Sequence, residues 1–246
     1  MNYNWNWSVF WDLSPGGSGT YMDTLIQGLY WTLAVSLAAW VLALVLGVVV
    51  GVFNTSGHRG VERLCRGYVE LFRNVPLLVQ MFLWYFVVPE VLPEAWGNYI
   101  KTADPVISTF WTAVVCLGLF TSSRIAEQVR AGVQSLPRGQ TMAATALGLR
   151  KAQVYRYVLL PITGRMILPP LTSEALNLIK NSSVAFTIGL LEITGAARSM
   201  QEFSFQIFEA FAAATVLYVV INIVVVILMR WVEKLARVPG FMGAAK

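Results

Sequence analysis

The chain has 246 residues, 57% of them hydrophobic and only 13% charged, with a formal net charge of +5. A soluble globular domain carries about 25% charged residues, so this composition excludes an ordinary soluble fold and points to a helical membrane protein. The positive balance is a matter of membrane orientation rather than nucleic-acid binding, because the basic residues cluster in particular loops.

In chain order, residues 1–20 contain Trp5, Trp7, Phe10 and Trp11 and no basic leader region. That argues against a signal peptide and for a segment lying on the outer membrane surface. Residues 24–53, 105–123 and 210–229 carry no charge. A hydrocarbon core of about 30 Å needs roughly 20 apolar residues, so each of these windows reads as a spanning helix. Span one, 24–53, holds Gly47-x-x-x-Gly51 near its inner end, a spacing that lets another helix approach closely. The turn 54–66 follows and carries the only histidine, His58, which is expected to be solvated.

Span two is expected over 66–88. Its uncharged part is 74–89, so a full crossing takes Glu70 and Arg73 with it and is kinked at Pro76. Span three runs from Pro105 to about Ala131. Two short helices are expected beyond it, at 140–147 and 151–159, joined by a left-handed turn at Gly148. Span four lies in 162–193 and is expected to be broken by Pro169, Pro170, Glu174 and Lys180. Span five covers 211–231, and Glu192, Arg198, Glu202 and Glu209, on the loop before it, are expected to face solvent.

The charges alternate with the crossings. Residues 1–58 hold no Lys or Arg, whereas Arg59, Arg63 and Arg66 follow span one directly. The next loop has Glu90, Glu94 and Asp104 against Lys101, and the one after it has Arg130, Arg138, Arg150, Lys151 and Arg156. Basic loops on the inner side place the N-terminus outside and the C-terminus in the cytoplasm, as an odd number of spans requires. Cys65 and Cys116 suggest neither a disulfide nor a metal site. The sequence lacks H-E-x-x-H and G-x-S-x-G, which argues against a membrane-embedded enzyme. It also lacks a P-loop, so any use of ATP must be borrowed from another subunit. No inverted repeat supports a self-contained secondary transporter.

The stretch Glu127–Pro161 is a long basic loop between apolar segments, and long ordered loops are usually functional. It contains Gly139-Gln140, then Ala143-Ala144-x-x-x-Gly148, then Leu160-Pro161. This resembles the EAA loop by which permease subunits of ABC importers dock onto their ATP-hydrolysing partner, with Met142 where the family has Glu. Val69–Gln80 (VELFRNVPLLVQ), Glu127-x-x-Arg130-Ala131-Gly132-x-x-Ser135-Leu136-Pro137 and Leu178-Ile179-Lys180-Asn181-Ser182-Ser183 resemble further signatures of the polar amino-acid subfamily, the histidine/glutamine/arginine type. The likeness is nearest to members that import glutamate and aspartate.

The resemblance implies an all-α type I importer fold of about five spans with cytoplasmic coupling helices, set in a bacterial inner membrane. It divides the chain into an interfacial segment, 1–20, a permease domain, 21–235, with its coupling loop at 138–161, and a cytoplasmic tail, 236–246. It also implies a heteromeric machine: a second permease, as a rule a distinct homologous chain, two ATPase subunits that use ATP and Mg, and a periplasmic amino-acid-binding protein. No cofactor is expected on this chain itself. Gln140, Met142, Ala143, Ala144, Gly148, Leu149, Arg150 and Pro161 are the expected ATPase-coupling residues.

Charges within spans are costly, about 2.5–3.5 kcal/mol near the helix centre on insertion scales, and are functional candidates by default. Glu70 with Arg73, and Arg124 with Glu127, are spaced to pair along one helix. Lys180 either attracts an anion or snorkels to pair with Glu174 or a neighbouring subunit. Arg124 follows the uncharged run 105–123, and relatives for cationic or neutral substrates usually have an uncharged residue there. Cationic-substrate relatives commonly have Asp where this chain has Asn181. A guanidinium suits a side-chain carboxylate. The expected substrate-contacting set is therefore Arg124, Asn181, Ser182 and Ser183, with Glu70 and Lys180, for an acidic amino acid; glutamine or a broad range of polar amino acids is the alternative.

Overall fold

The computed structural model describes residues 3–15 and 19–236, and within them the regular structure is all helical, with an isolated antiparallel bridge between Leu13 and Thr20. Apart from Ala236, the expected cytoplasmic tail lies outside the described residues.

Helix α1 (Tyr21–Phe53) starts at a capping box, in which the Thr20 hydroxyl accepts from the Asp23 amide and the Asp23 carboxylate accepts from the Thr20 amide. Its two faces are inverted relative to a soluble helix. Ile26, Leu33, Leu37, Val41 and Val45 are exposed, while Gly28, Thr32, Ser36, Ala39, Ala43, Gly47 and Gly51 are buried. In lipid, large apolar side chains are at home outside and small ones let backbones approach. The buried stripe packs along α6 (Pro105–Ser135), where a Cβ on Gly47 would lie 2.7 Å from Ile125 and one on Gly51 2.6 Å from Val129. The Gly47-x-x-x-Gly51 spacing therefore serves a helix contact within the chain.

The expected second span is not one helix. α2 (Arg59–Asn74) stops at Val75, and the chain bends by 103° into the helical stretch Leu77–Val91, which comprises α3 (Leu77–Phe82), a π-helical turn (Leu83–Val87) and α4 (Val88–Val91). The cause is Pro76, which forces Val75 into extended backbone (φ −86°, ψ 130°) and supplies no amide to α2. Gln80 repairs the break: its buried side-chain amide donates to the Phe72 and Val75 carbonyls at 2.9 Å each. Glu70 and Arg73 thus sit on a separate amphipathic helix ahead of the bend.

A short helix α5 (Glu94–Thr102) precedes α6. After α6 come α7 (Arg138–Ala146) and α8 (Lys151–Val154), and α8 runs through a second π turn (Tyr155–Leu159) into α9 (Leu160–Asn181). The second short helix of the loop is therefore the first part of the fourth span, not a separate piece. Each π turn ends two residues before a proline, Pro89 or Pro161. A wider turn accommodates a residue that lacks an amide and crowds the carbonyl four positions back.

The fourth span breaks at a different place from the one expected. α9 continues through Pro169 and Pro170; it gives way at Ser182 to a 3-10 helix (Ser182–Ile188) that ends at Gly189 with φ +97°. Helices α10 (Ile193–Ser204) and α11 (Ile207–Ala236) complete the fold. Helices α1, α6 and α11 are each long and apolar enough to cross a membrane alone, while α9 lies against both α6 and α11.

Two acidic residues expected in solvent are fully buried. Glu192 caps α10, accepting from the Gly195 amide at 2.9 Å, the Thr194 amide at 3.1 Å and the Tyr218 hydroxyl at 2.6 Å. A carboxylate at a helix N-terminus with three donors is a satisfied buried charge, which explains its position. Glu209, in the first turn of α11, accepts from the Asn6 amide at 2.7 Å and from the Tyr3 hydroxyl. It fastens the N-terminal segment to α11 and leaves Trp5, Trp7 and Trp11 exposed. Arg198 and Glu202 are exposed and pair with each other at 2.8 Å.

Candidate functional site: a charged helix face and an exposed loop

The loop 138–161 has a hard interior and an open outer face. α7 ends in a Schellman motif: the Leu149 amide donates to the Ala144 carbonyl at 3.2 Å and the Gly148 amide to the Thr145 carbonyl at 2.9 Å, with Gly148 at φ +82°. This is the left-handed turn expected there. Ala144 is buried with Leu136, Val154 and Leu159, and Leu149, Tyr155 and Ile162 pack around them. The paired alanines therefore differ in role, since Ala144 holds the loop together while Ala143 faces out. Leu147 is 83% exposed and Met142 65%, and with Ala143 they leave apolar surface on the outside of the loop. Arg150 and Pro161 are exposed as well, and the Arg150 amide is held by the Gln153 side chain at 2.8 Å. Gln140 is half-buried, and its side-chain carbonyl has no partner among the described residues. The prominence of Leu147 was not singled out from the sequence, although its place one turn after Ala143 is the signal for it.

Within the bundle, α6 and α9 bring Arg124 and Glu174 together. The closest approach is 4.0 Å from Arg124 Nη1 to Glu174 Oε1, beyond hydrogen-bond length. The guanidinium lies 5.0 Å from the centre of the Phe120 ring, a cation–π contact that orients it. Gln128 donates to Glu174 Oε1 at 3.2 Å. Arg124 Nε, Gln128 Oε1 and Glu174 Oε2 are buried and have no hydrogen-bond partner among the described residues. Three unpaired polar atoms in one place are unusual for a protein interior and mark a site with unused hydrogen-bonding capacity.

The expected Arg124–Glu127 and Lys180–Glu174 pairings are replaced by others, and Glu70 and Arg73 form no ion pair among the described residues. Glu127 pairs with Arg130 instead of Arg124, and Glu174 faces Arg124 instead of Lys180. The reason is geometric: Arg130 and Glu127 meet on the α6 surface, whereas Arg124 turns toward α9. Lys180 is exposed and makes no ion pair among the described residues. Asn181 lies seven residues after Glu174, which puts it on nearly the same helix face about 10 Å further along. The Ser182 and Ser183 hydroxyls donate back to the Ile179 and Lys180 carbonyls at 2.7 Å; Ser182 is fully buried, whereas half-buried Ser183 presents an oxygen acceptor rather than a free donor. Glu70 belongs elsewhere. It lines a polar cleft of about 440 Å³ with Glu62, Arg66, Arg73, Glu127 and Arg130, between α2 and α6.

Comparison with known proteins gives a consistent picture. A family model described as "Binding-protein-dependent transport system inner membrane component" matches residues 43–238. The glutamate/aspartate import permease protein GltJ of Escherichia coli (strain K12) is 47% identical over 244 residues, covering 99% of each chain. The probable glutamine ABC transporter permease protein GlnM of Bacillus subtilis (strain 168) is 32% identical, covering 87% of this chain and 92% of that one. Among solved structures, an amino acid ABC transporter with histidines superposes with a TM-score of 0.74 at 28% identity, over 87% of this chain and 94% of that one. The inward-facing MetNI methionine ABC transporter gives a TM-score of 0.74 at 19% identity, over 88% and 98%, and shares the fold.

Proposed function

Because this chain belongs to the family of binding-protein-dependent transport system inner membrane components, we propose that the amino acids it carries across the inner membrane are the acidic ones, glutamate and aspartate. The chain is a permease subunit of an ABC importer and not an enzyme; ATP hydrolysis belongs to a separate subunit. The acidic reading rests on Arg124, whose guanidinium is oriented by Phe120 and has no carboxylate within hydrogen-bond length. A planar pair of N–H donors in that state matches the side-chain carboxylate of glutamate or aspartate. The 47% identity to a protein named as a glutamate/aspartate permease supports the same substrate class.

In this reading Asn181 and the half-buried Ser183 oxygen contact the amino-acid end of the substrate, and the fully buried Ser182 braces the break behind them. Lys180 adds positive potential nearby. Glu174 keeps Arg124 neutralised between substrates, and Glu70 stays outside the site. The outward face of Met142, Ala143 and Leu147, rimmed by Arg150, docks on the ATPase dimer as a short helix laid in a groove. Docking turns ATP-driven closure into alternating access. A second, unlike permease completes the pathway, and a binding protein delivers substrate at the opposite face, on the side of the N-terminus.

The test is uptake by the complete transporter carrying Arg124→Gln. Apparent affinity for glutamate and aspartate is expected to fall about tenfold to a hundredfold, the range for losing a charge-assisted hydrogen bond. ATPase assembly is expected to be unchanged. Unaltered affinity and selectivity would overturn the assignment.

A further inference from the structure

The turn between α1 and α2 is gripped from outside by the coupling loop. Tyr155 donates its hydroxyl to the Thr55 carbonyl at 2.6 Å and lies 3.1 Å from the Thr55 hydroxyl. Lys151, one helical turn earlier on the same face, donates its ammonium to the Ser56 carbonyl. Among the described residues these are the side-chain hydrogen bonds that join 54–74 to 138–159. Gly57 has φ +80°, and a Cβ there would lie 3.2 Å from Lys151 Nζ. The Gly57 amide is held in turn by the Glu62 carboxylate at 2.8 Å, which ties the turn to α2. The ring of Tyr155 packs in the apolar interior of the loop, so its hydroxyl is presented by a rigid body. Asn54, at the end of α1, is buried with both amide atoms unpartnered among the described residues. A turn that is pinned from outside and unsatisfied within is able to exchange partners.

We propose that Lys151 and Tyr155 form a latch that carries movement of the coupling loop into the α1–α2 turn, and through it into α2 and the bend at Pro76. The loop then drives two elements at once: α9, with which it is continuous, and α2–α3, which it holds by the latch. A stroke delivered to α9 alone would shift Glu174 and Asn181. With the latch engaged it also swings the amphipathic helix that Tyr68 ties to Ser122 of α6 at 2.6 Å. Lys151 and Tyr155 act as positioning residues, since their side chains bond the backbone carbonyls of the turn.

The inference rests on the docking reading of the loop, and the test separates the two. In proteoliposomes of the complete importer with binding protein, Tyr155→Phe combined with Lys151→Met is expected to leave the ATPase in the purified complex. Uptake per ATP hydrolysed is expected to fall about thirtyfold or more, as for the loss of one neutral and one charge-assisted hydrogen bond. Lys151→Arg, which keeps a donor, is expected to retain most of the coupling. Unchanged uptake per ATP in the double variant overturns the latch. So does loss of the ATPase from the complex, which would assign the two side chains to docking. The docking reading is checked separately with Leu147→Glu: a variant that still holds the ATPase at full occupancy rejects that reading whatever the latch does.

Discussion

Along the seam between α1 and α6, small residues face inward and leave no room: a Cβ on Gly51 would lie 2.6 Å from Val129 and 2.8 Å from the Ala126 carbonyl oxygen. In the coupling loop, a Cβ on Gly139 or Gly148 would meet nothing within 4 Å, and Leu147 is 83% exposed. The seam has its complement within the chain; the outer face of the loop does not. Substitutions at the seam should therefore damage the protein itself, and those on the loop should damage what it does with a partner.

The largest effect is expected from Gly51→Leu. Overpacking of a tight core costs about 1–3 kcal/mol and occasionally more, and here the new side chain meets backbone as well as Val129. Loss of membrane accumulation, or a collapsed melting temperature in detergent, would bear this out; a normal level would show that the seam can open. Gln80→Leu comes next. Freeing the Phe72 and Val75 carbonyls at the bend is expected to cost about 2 kcal/mol, readable as lower thermal stability with transport activity reduced in proportion. Gly148→Val is the most local in the fold and the most telling for function. A β-branched residue at φ +82° costs about 1–3 kcal/mol locally, and the space around it is open, so insertion should be normal. Uptake per ATP should fall even so. If coupling survives, the Schellman turn is not part of the lever and the contrast between the two regions weakens.

Much of the architecture could be read from charge spacing, because lipid penalises unpaired charge strongly enough to leave long blank windows in a sequence. The windows at 24–53, 105–123 and 210–229 fall within α1, α6 and α11. Pro76 was visible as a disruption, yet a proline alone does not distinguish a kink from the 103° turn that Gln80 stabilises. Pro169 and Pro170 looked like a break and are not one: α9 runs through both. Arg124 was identifiable as an isolated charge, but Glu174 as the group facing it was not, since 50 residues of chain separate them. Glu192 and Glu209 were misplaced for the same reason: their donors come from Thr194, Gly195 and Tyr218 in one case, and from Tyr3 and Asn6 at the far end of the chain in the other.

What the amino-acid order determined alone was local or statistical: apolar length, basic loops, a glycine suited to positive φ, and a motif series that identifies a transport permease. Which charge meets which, how sharply the chain turns at Pro76, where the fourth span gives way, and that Lys151 and Tyr155 hold the α1–α2 turn were decided only by packing. Hydrogen-bond and ion partners depend on distances between helices, and those distances are set by the close approach of α1, α6 and α9 rather than by sequence spacing.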